Sequence, residues 1–215
     1  MISNRITIII SASLIALAVG AGFLVAVHLP PEIISHWDSL GRPNGHLVKV
    51  YGLAFIPSLA VVLLVLYLLL GSESGEVSKT KSSQTEFNLF ALSVFGFLVY
   101  LYFLILAWNL HPYSFSVIQA LIPAFAVLVF ALGHLVRTIK LKLGSNGSPA
   151  GTWREKLLWL KFCRLTGRIL QVLALVLLTG LFYPDQIFIV FSTLLLVAVV
   201  ALGLYFFFVK KKIGF

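Results

Sequence analysis

VYGLAFIPSLAVVLLVLYLLL, residues 50–70, carries no ionisable side chain apart from its two tyrosines and is long enough, at 1.5 Å rise per helical residue, to cross the hydrocarbon core of a bilayer. Five further windows read the same way: 6–27, 87–108, 116–135, 165–183 and 187–209. The fifth is the weakest, because sustained apolarity starts only at Ile169, with Gln171 soon after and Arg164 and Arg168 just upstream. Its first turns are expected to snorkel or lie at the interface.

Composition supports the reading of the windows. Of 215 residues, 60% are hydrophobic and 11% charged, with a mean hydropathy of +1.05. A soluble domain has about 25% charged residues, so water cannot be the only solvent. The predicted fold is therefore all-α: a polytopic helical membrane protein of six transmembrane helices, without a separate soluble domain. The first window is too long for a signal peptide's apolar region and lacks a small-residue cleavage site, so it is read as a retained helix.

The net charge of +9 is distributed unevenly. Arg5, then Lys79 and Lys81, then the run from Arg137 to Arg168, and finally Lys210, Lys211 and Lys212 occupy alternate connectors and ends. The other connectors hold only Arg42 and Lys49. The positive-inside rule then predicts both termini in the cytoplasm and a plasma-membrane, multi-pass location. Lipid headgroups account for this basic pattern without a nucleic-acid partner.

The organisation expected along the chain is a two-helix unit at 1–71 with a structured extracytoplasmic loop at 29–49, a flexible cytoplasmic loop at 72–86, helices three and four at 87–136, a basic connection at 137–168, and helices five and six with a basic tail at 169–215. The Ser- and Gly-rich compositions of 71–86 and 143–151 are those of flexible segments. Pro57 and Pro123 are expected to kink helices two and four. The neutral polar residues Asn88, Ser93, Gln119, Ser192 and Thr193 are expected to pair across helices.

The loop HLPPEIISHWDSLGRPNGHLVK, residues 28–49, gathers His28, Glu32, His36, Trp37, Asp38, Arg42, Asn44 and His46 in one short span. Pro30 and Pro31 stop the first helix, and Gly41, Pro43 and Gly45 punctuate a turn, so a specific folded shape is predicted. Imidazole and carboxylate are suitable zinc ligands, which makes His36, Asp38 and His46 a candidate divalent-metal set and an outer-face metal-dependent enzyme one reading. The plainer alternative is that His36 and Asp38 bond the loop backbone while Trp37 anchors the loop at the headgroups.

On these residues the chain resembles the SdpI-like membrane proteins, immunity and signal-transduction proteins for a secreted bacterial killing peptide that share an N-terminal domain of unknown function. Leu29 and Pro30 match the family's opening, His36, Trp37 and Asp38 its centre, and Gly41, Pro43, Asn44 and Lys49 the remainder; Ile34 stands where a second proline is usual. A second matching segment is Trp159, Lys161, Arg164 and Gly167, leading into the next helix. Of the Arg-Thr-Pro-Trp run usual upstream, only Thr152 and Trp153 have counterparts.

The resemblance implies ligand recognition by His36, Trp37, Asp38, Gly41, Pro43, Asn44 and Lys49, with a secreted peptide outside and a regulator protein inside. The residues themselves imply only a structured outer loop and a basic inner one; the first reading built on them is an outer loop that recognises a peptide, envelope component or ion. Read as a helix, Arg154, Lys161, Arg164 and Arg168 share an arc of about 80°, a cytoplasmic face for signalling or for anionic lipid, to which the resemblance adds Trp159 and Gly167 of the same segment. The alternative from a different class is a small transporter or lipid-handling protein with the loop as a lid. No nucleophile motif supports an enzyme, and no carboxylate at mid-membrane supports a proton-coupled pump.

Overall fold

A computed structural model describes residues 2–73, 81–138 and 153–213. In chain order it comprises α1 (Asn4–Val25), β1 (Glu32–Trp37), β2 (Pro43–Val48), α2 (Lys49–Glu73), α3 (Lys81–Leu110), α4 (Val117–Thr138), α5 (Trp153–Leu178) and α6 (Pro184–Ile213). All six helices contain a stretch long and apolar enough to cross a membrane, the property of a multi-pass membrane protein.

Local chemistry explains the helix ends. The Ser3 hydroxyl accepts from Ile6 N at 3.3 Å and caps α1. Ser116 does the same for Gln119 N at the start of α4. Proline suits the first turn of a helix because its missing N–H would have no partner there, and Pro184 opens α6 with Asp185 beside it at the positive end of the dipole. At the other end of α1, a 3₁₀ turn (Ala26–His28) precedes the two prolines that end it. Pro57 and Pro123 both lie inside continuous helices.

Two boundaries differ from the sequence reading. Helix α3 already begins at Lys81, inside the stretch expected to be loop; residues 74–80 lie outside those described. Helix α5 begins at Trp153, so the second half of the expected basic connection is helix, continuous with the span Leu157–Leu181. Its apolar positions alternate with basic ones at helical period, burying Leu158 and Cys163, and a scan for unbroken apolar runs misses such a pattern. The expected flexible stretch 143–151 lies outside the described residues, as do the side chains of Arg154 and Lys210 to Lys212.

The larger core joins α1, α2, α3 and β1, with Ile15, Ala18, Ile33, Ile56, Ala60, Phe95 and Tyr102 at its centre. A second core joins α4, α5 and α6 through Ile122, Ala126, Leu177 and Ile187. Leu104, Trp108 and Val117 bridge α3 and α4 next to the hairpin. Helices α4 and α5 approach closely at Gly133 and Gly167, where a Cβ on Gly167 would meet Gly133 O and stand 2.6 Å from Arg137 Cβ. Glycine at both positions lets the backbones touch, which is how helices gain contact where lipid offers no hydrophobic drive.

Some polar groups inside the bundle are paired, while Ser11 Oγ and Thr166 Oγ1 are buried without a partner among the described residues. Asn88 is fully buried: its Oδ1 accepts from Tyr67 Oη at 2.7 Å and Gln84 Nε2 at 2.9 Å, and its Nδ2 donates to Ile2 O and Asn4 Oδ1, both at 3.0 Å. This ties α1, α2 and α3 together, as expected for an amide that cannot reach water. Gln119 also bonds across the bundle, to Leu181 O at 3.2 Å, whereas Ser93 bonds a carbonyl of its own helix.

Candidate functional site

The loop expected to be folded is a two-stranded antiparallel hairpin, β1 paired with β2, which is a departure from an all-α chain. EIISHW and PNGHLV flank DSLGR, and the turn chemistry lies in that middle segment. Asp38 N donates to Arg42 O and Gly41 N to Asp38 O, both at 2.9 Å, and Gly41 has φ +76°, where a side chain would be strained. The tip rests on α4: a Cβ on Gly41 would stand 3.5 Å from the Ile118 side chain.

Asp38 closes the turn from inside. Its Oδ1 accepts from Leu40 N and Arg42 N, each at 2.9 Å, and its Oδ2 accepts from Arg42 Nε at 2.9 Å. The Arg42 backbone N–H, supported by the guanidinium and the Leu40 N–H, holds this carboxyl below the usual aspartate range against the opposing effect of desolvation.

Three contacts fasten the hairpin to the helices. Asn109, in the last turn of α3, accepts from Ile34 N at 2.8 Å and donates to Ile34 O at 2.8 Å and Ile105 O at 2.9 Å. Its amide thus takes the place of a neighbouring strand at the free edge of β1. Lys49 Nζ donates to Ala26 O at 3.1 Å, satisfying a carbonyl at the end of α1. Trp37 packs edge-on against Trp108, ring centroids 5.6 Å apart, and Trp108 packs in turn against Tyr113.

Most residues singled out by sequence therefore build the hairpin. Trp37 turns toward α3, with its indole N–H buried and unpartnered. Asp38 and Gly41 make the turn, Pro43 opens β2, and Lys49 joins β2 to α1. The exposed members are His36 and Asn44, with His46, Glu32 and Arg42 beside them. His36 Nδ1 and Asn44 Oδ1 are 2.5 Å apart across the strands; since the amide oxygen only accepts, Nδ1 is the donor.

The candidate metal set does not assemble. Asp38 is occupied by the turn and His36 by Asn44, and among the described residues no three His, Cys, Asp or Glu side chains come together to hold an ion. No metal-dependent step is derived from these residues.

At the opposite end, Trp159 stacks on Phe162 and meets Phe206 of α6, so it joins α5 to α6. Gly167 sits in the α4–α5 crossing, while Lys161, Arg164 and Arg168 are exposed. Sequence reasoning missed Asn109, Trp108 and Gly133. A polar amide at the end of an apolar run reads as an ordinary interface residue, and nothing local announces its partner on β1.

Compared with protein-family models, with curated proteins and with solved structures, the chain matches none of them.

Proposed function

We propose that the hairpin faces the extracytoplasmic side and recognises a secreted peptide, an envelope component or an ion, and that the protein acts in toxin immunity or signalling of the SdpI-like kind. The supporting observation is the division of labour within the hairpin. Asn109, Lys49 and Trp37 fix its position, which leaves His36, Asn44 and His46 as a polar face with no packing task. A preorganised face binds with little ordering entropy to overcome. The basic residues gathered at the other end of the bundle support a cytoplasmic position for both termini.

Two measurements test this. In a Cys163→Ser background, His46→Cys is expected to react with a membrane-impermeant maleimide in intact cells; labelling only after lysis overturns the orientation. Cells producing the protein are expected to survive a dose of the family's secreted killing peptide that lyses control cells. His36→Ala with Asn44→Ala is expected to lose that survival at unchanged membrane abundance, and equal survival would count against the hairpin as the reader.

A further inference from the structure

We propose that the α4–α5 crossing is a binding site for the phosphate of an anionic phospholipid, held by Arg137 from α4 and by Arg164 and Arg168 from α5. The inference rests only on the helices spanning a bilayer and not on the role of the hairpin.

The helix crossing sets the backbone of Arg137 against the turn of α5 that carries Arg164 and Arg168. A Cβ on Gly167 would stand 2.7 Å from Arg137 N and 2.6 Å from Arg137 Cβ, so the backbone at Arg137 lies directly against α5. Arg164 and Arg168 flank that point in sequence, and at 3.6 residues per turn they lie about 60° and about 100° around from it in the same direction. That arc of α5 is its exposed one: Leu165, Val172 and Leu175 share it. Arg137 is exposed as well.

Among the described residues no group neutralises these charges. Among the described residues Asp38 pairs with Arg42, and Glu86 Oε2 lies 2.6 Å from His134 Nε2, so the carboxylate on α3 is already taken. Glu32 and Asp185 lie at the hairpin end of the bundle. Arg168 nevertheless falls inside the span Leu157–Leu181, where sustained apolarity begins at the next residue, Ile169.

A guanidinium at that level, on a lipid-facing arc, must find a counterion or extend toward the headgroups. The anion within reach is a lipid phosphate, whose oxygens match the planar fork of arginine. A basic stripe on a single helix gathers anionic lipid diffusely. The contribution of Arg137 from a second helix makes the present arrangement a discrete site.

The full-length protein, reconstituted in nanodiscs of phosphatidylcholine with a minor share of phosphatidylglycerol, is expected to retain phosphatidylglycerol selectively when its bound lipids are counted by native mass spectrometry. Arg137→Gln, Arg164→Gln and Arg168→Gln should each weaken retention on the order of tenfold, the effect of losing a charge-assisted hydrogen bond. Lys161→Gln, on the same arc but farther from the crossing, should change it less than about twofold, as for a diffuse surface charge.

Equal retention of the two lipids by the unaltered protein overturns the proposal, and so does an equal loss with Lys161→Gln. Arginine-dependent binding of inorganic phosphate in phosphatidylcholine-only nanodiscs, undiminished when phosphatidylglycerol is added, would assign the site to a soluble anion and overturn the lipid. Failure of the protein to insert into nanodiscs would instead overturn the membrane-spanning reading on which the site depends.

Discussion

Trp37 and Asp38 are adjacent in the sequence, yet they support the hairpin by different physics. Trp37 contributes buried ring area against Trp108, while its indole N–H has no partner. Trp37→Ala should therefore destabilise hairpin docking by about 3–5 kcal/mol, the usual effect of deleting a large packed aromatic. Trp37→Phe should keep most of the packing and remove the unpartnered donor. Hydrogen exchange at the Ile33 and Leu47 amides separates the two: fast in the alanine variant and slow in the phenylalanine variant. Asp38 acts through charge. Because its carboxyl pKa is lowered in the folded turn, its contribution is fully present above its unfolded pKa of about 4 and is lost as pH falls through the lower folded value. Exchange at Gly41 and Arg42 should accelerate over that acidic range, and Asp38→Asn should abolish the pH dependence.

The α4–α5 pair shows what one missing methyl group does for two helices. Gly167→Ala places a Cβ on Gly133 O and against Arg137, so the helices must separate, with an expected loss of about 1–3 kcal/mol from overpacking. Gly20 on α1 has no atom within 4 Å of where its Cβ would stand. Gly20→Ala should therefore be neutral or stabilising by up to about 1 kcal/mol, since alanine is the better helix former. Thermal unfolding in detergent compares the two: the midpoint should fall for Gly167→Ala and hold or rise for Gly20→Ala. At this scale the helices were readable where apolarity is unbroken, as in α2. Where burial alternates with charge, as at the start of α5, an unbroken apolar run begins later than the helix does. The two strands escaped notice because each is six residues long and carries prolines or histidines where an alternating apolar pattern is sought.

Over the whole molecule, helix burial is unequal. In α3, 44% of the spanning window is buried, against 12% in α6, so α3 is the central helix and α6 the peripheral one. α6 packs on α5 and on the 3₁₀ turn Thr179–Leu181, through Ile187 against Leu177 near one end and Phe206 against Trp159 and Phe162 near the other. It should therefore be the first helix to separate under denaturing detergent, since local stability follows the density of buried contacts. With Leu202→Cys and Phe95→Cys each placed in a Cys163→Ser background, maleimide labelling should appear at lower sodium dodecyl sulfate for position 202 than for position 95. Simultaneous labelling would mean that the six helices unfold as one unit.

The amino-acid sequence alone determined that the chain has six segments long and apolar enough to cross hydrocarbon, because transfer of apolar side chains between water and lipid depends on composition over about 20 residues and needs no partner. It also marked 29–49 as a folded loop, since proline and glycine act on their own backbone. Only the tertiary structure decided that Asn109 completes the edge of β1, that Trp37 points inward while His36 and Asn44 remain exposed, and that Gly133 meets Gly167. Each of these depends on an approach between segments far apart in the chain. Nothing in the local preferences of either residue encodes the identity of the one it will meet.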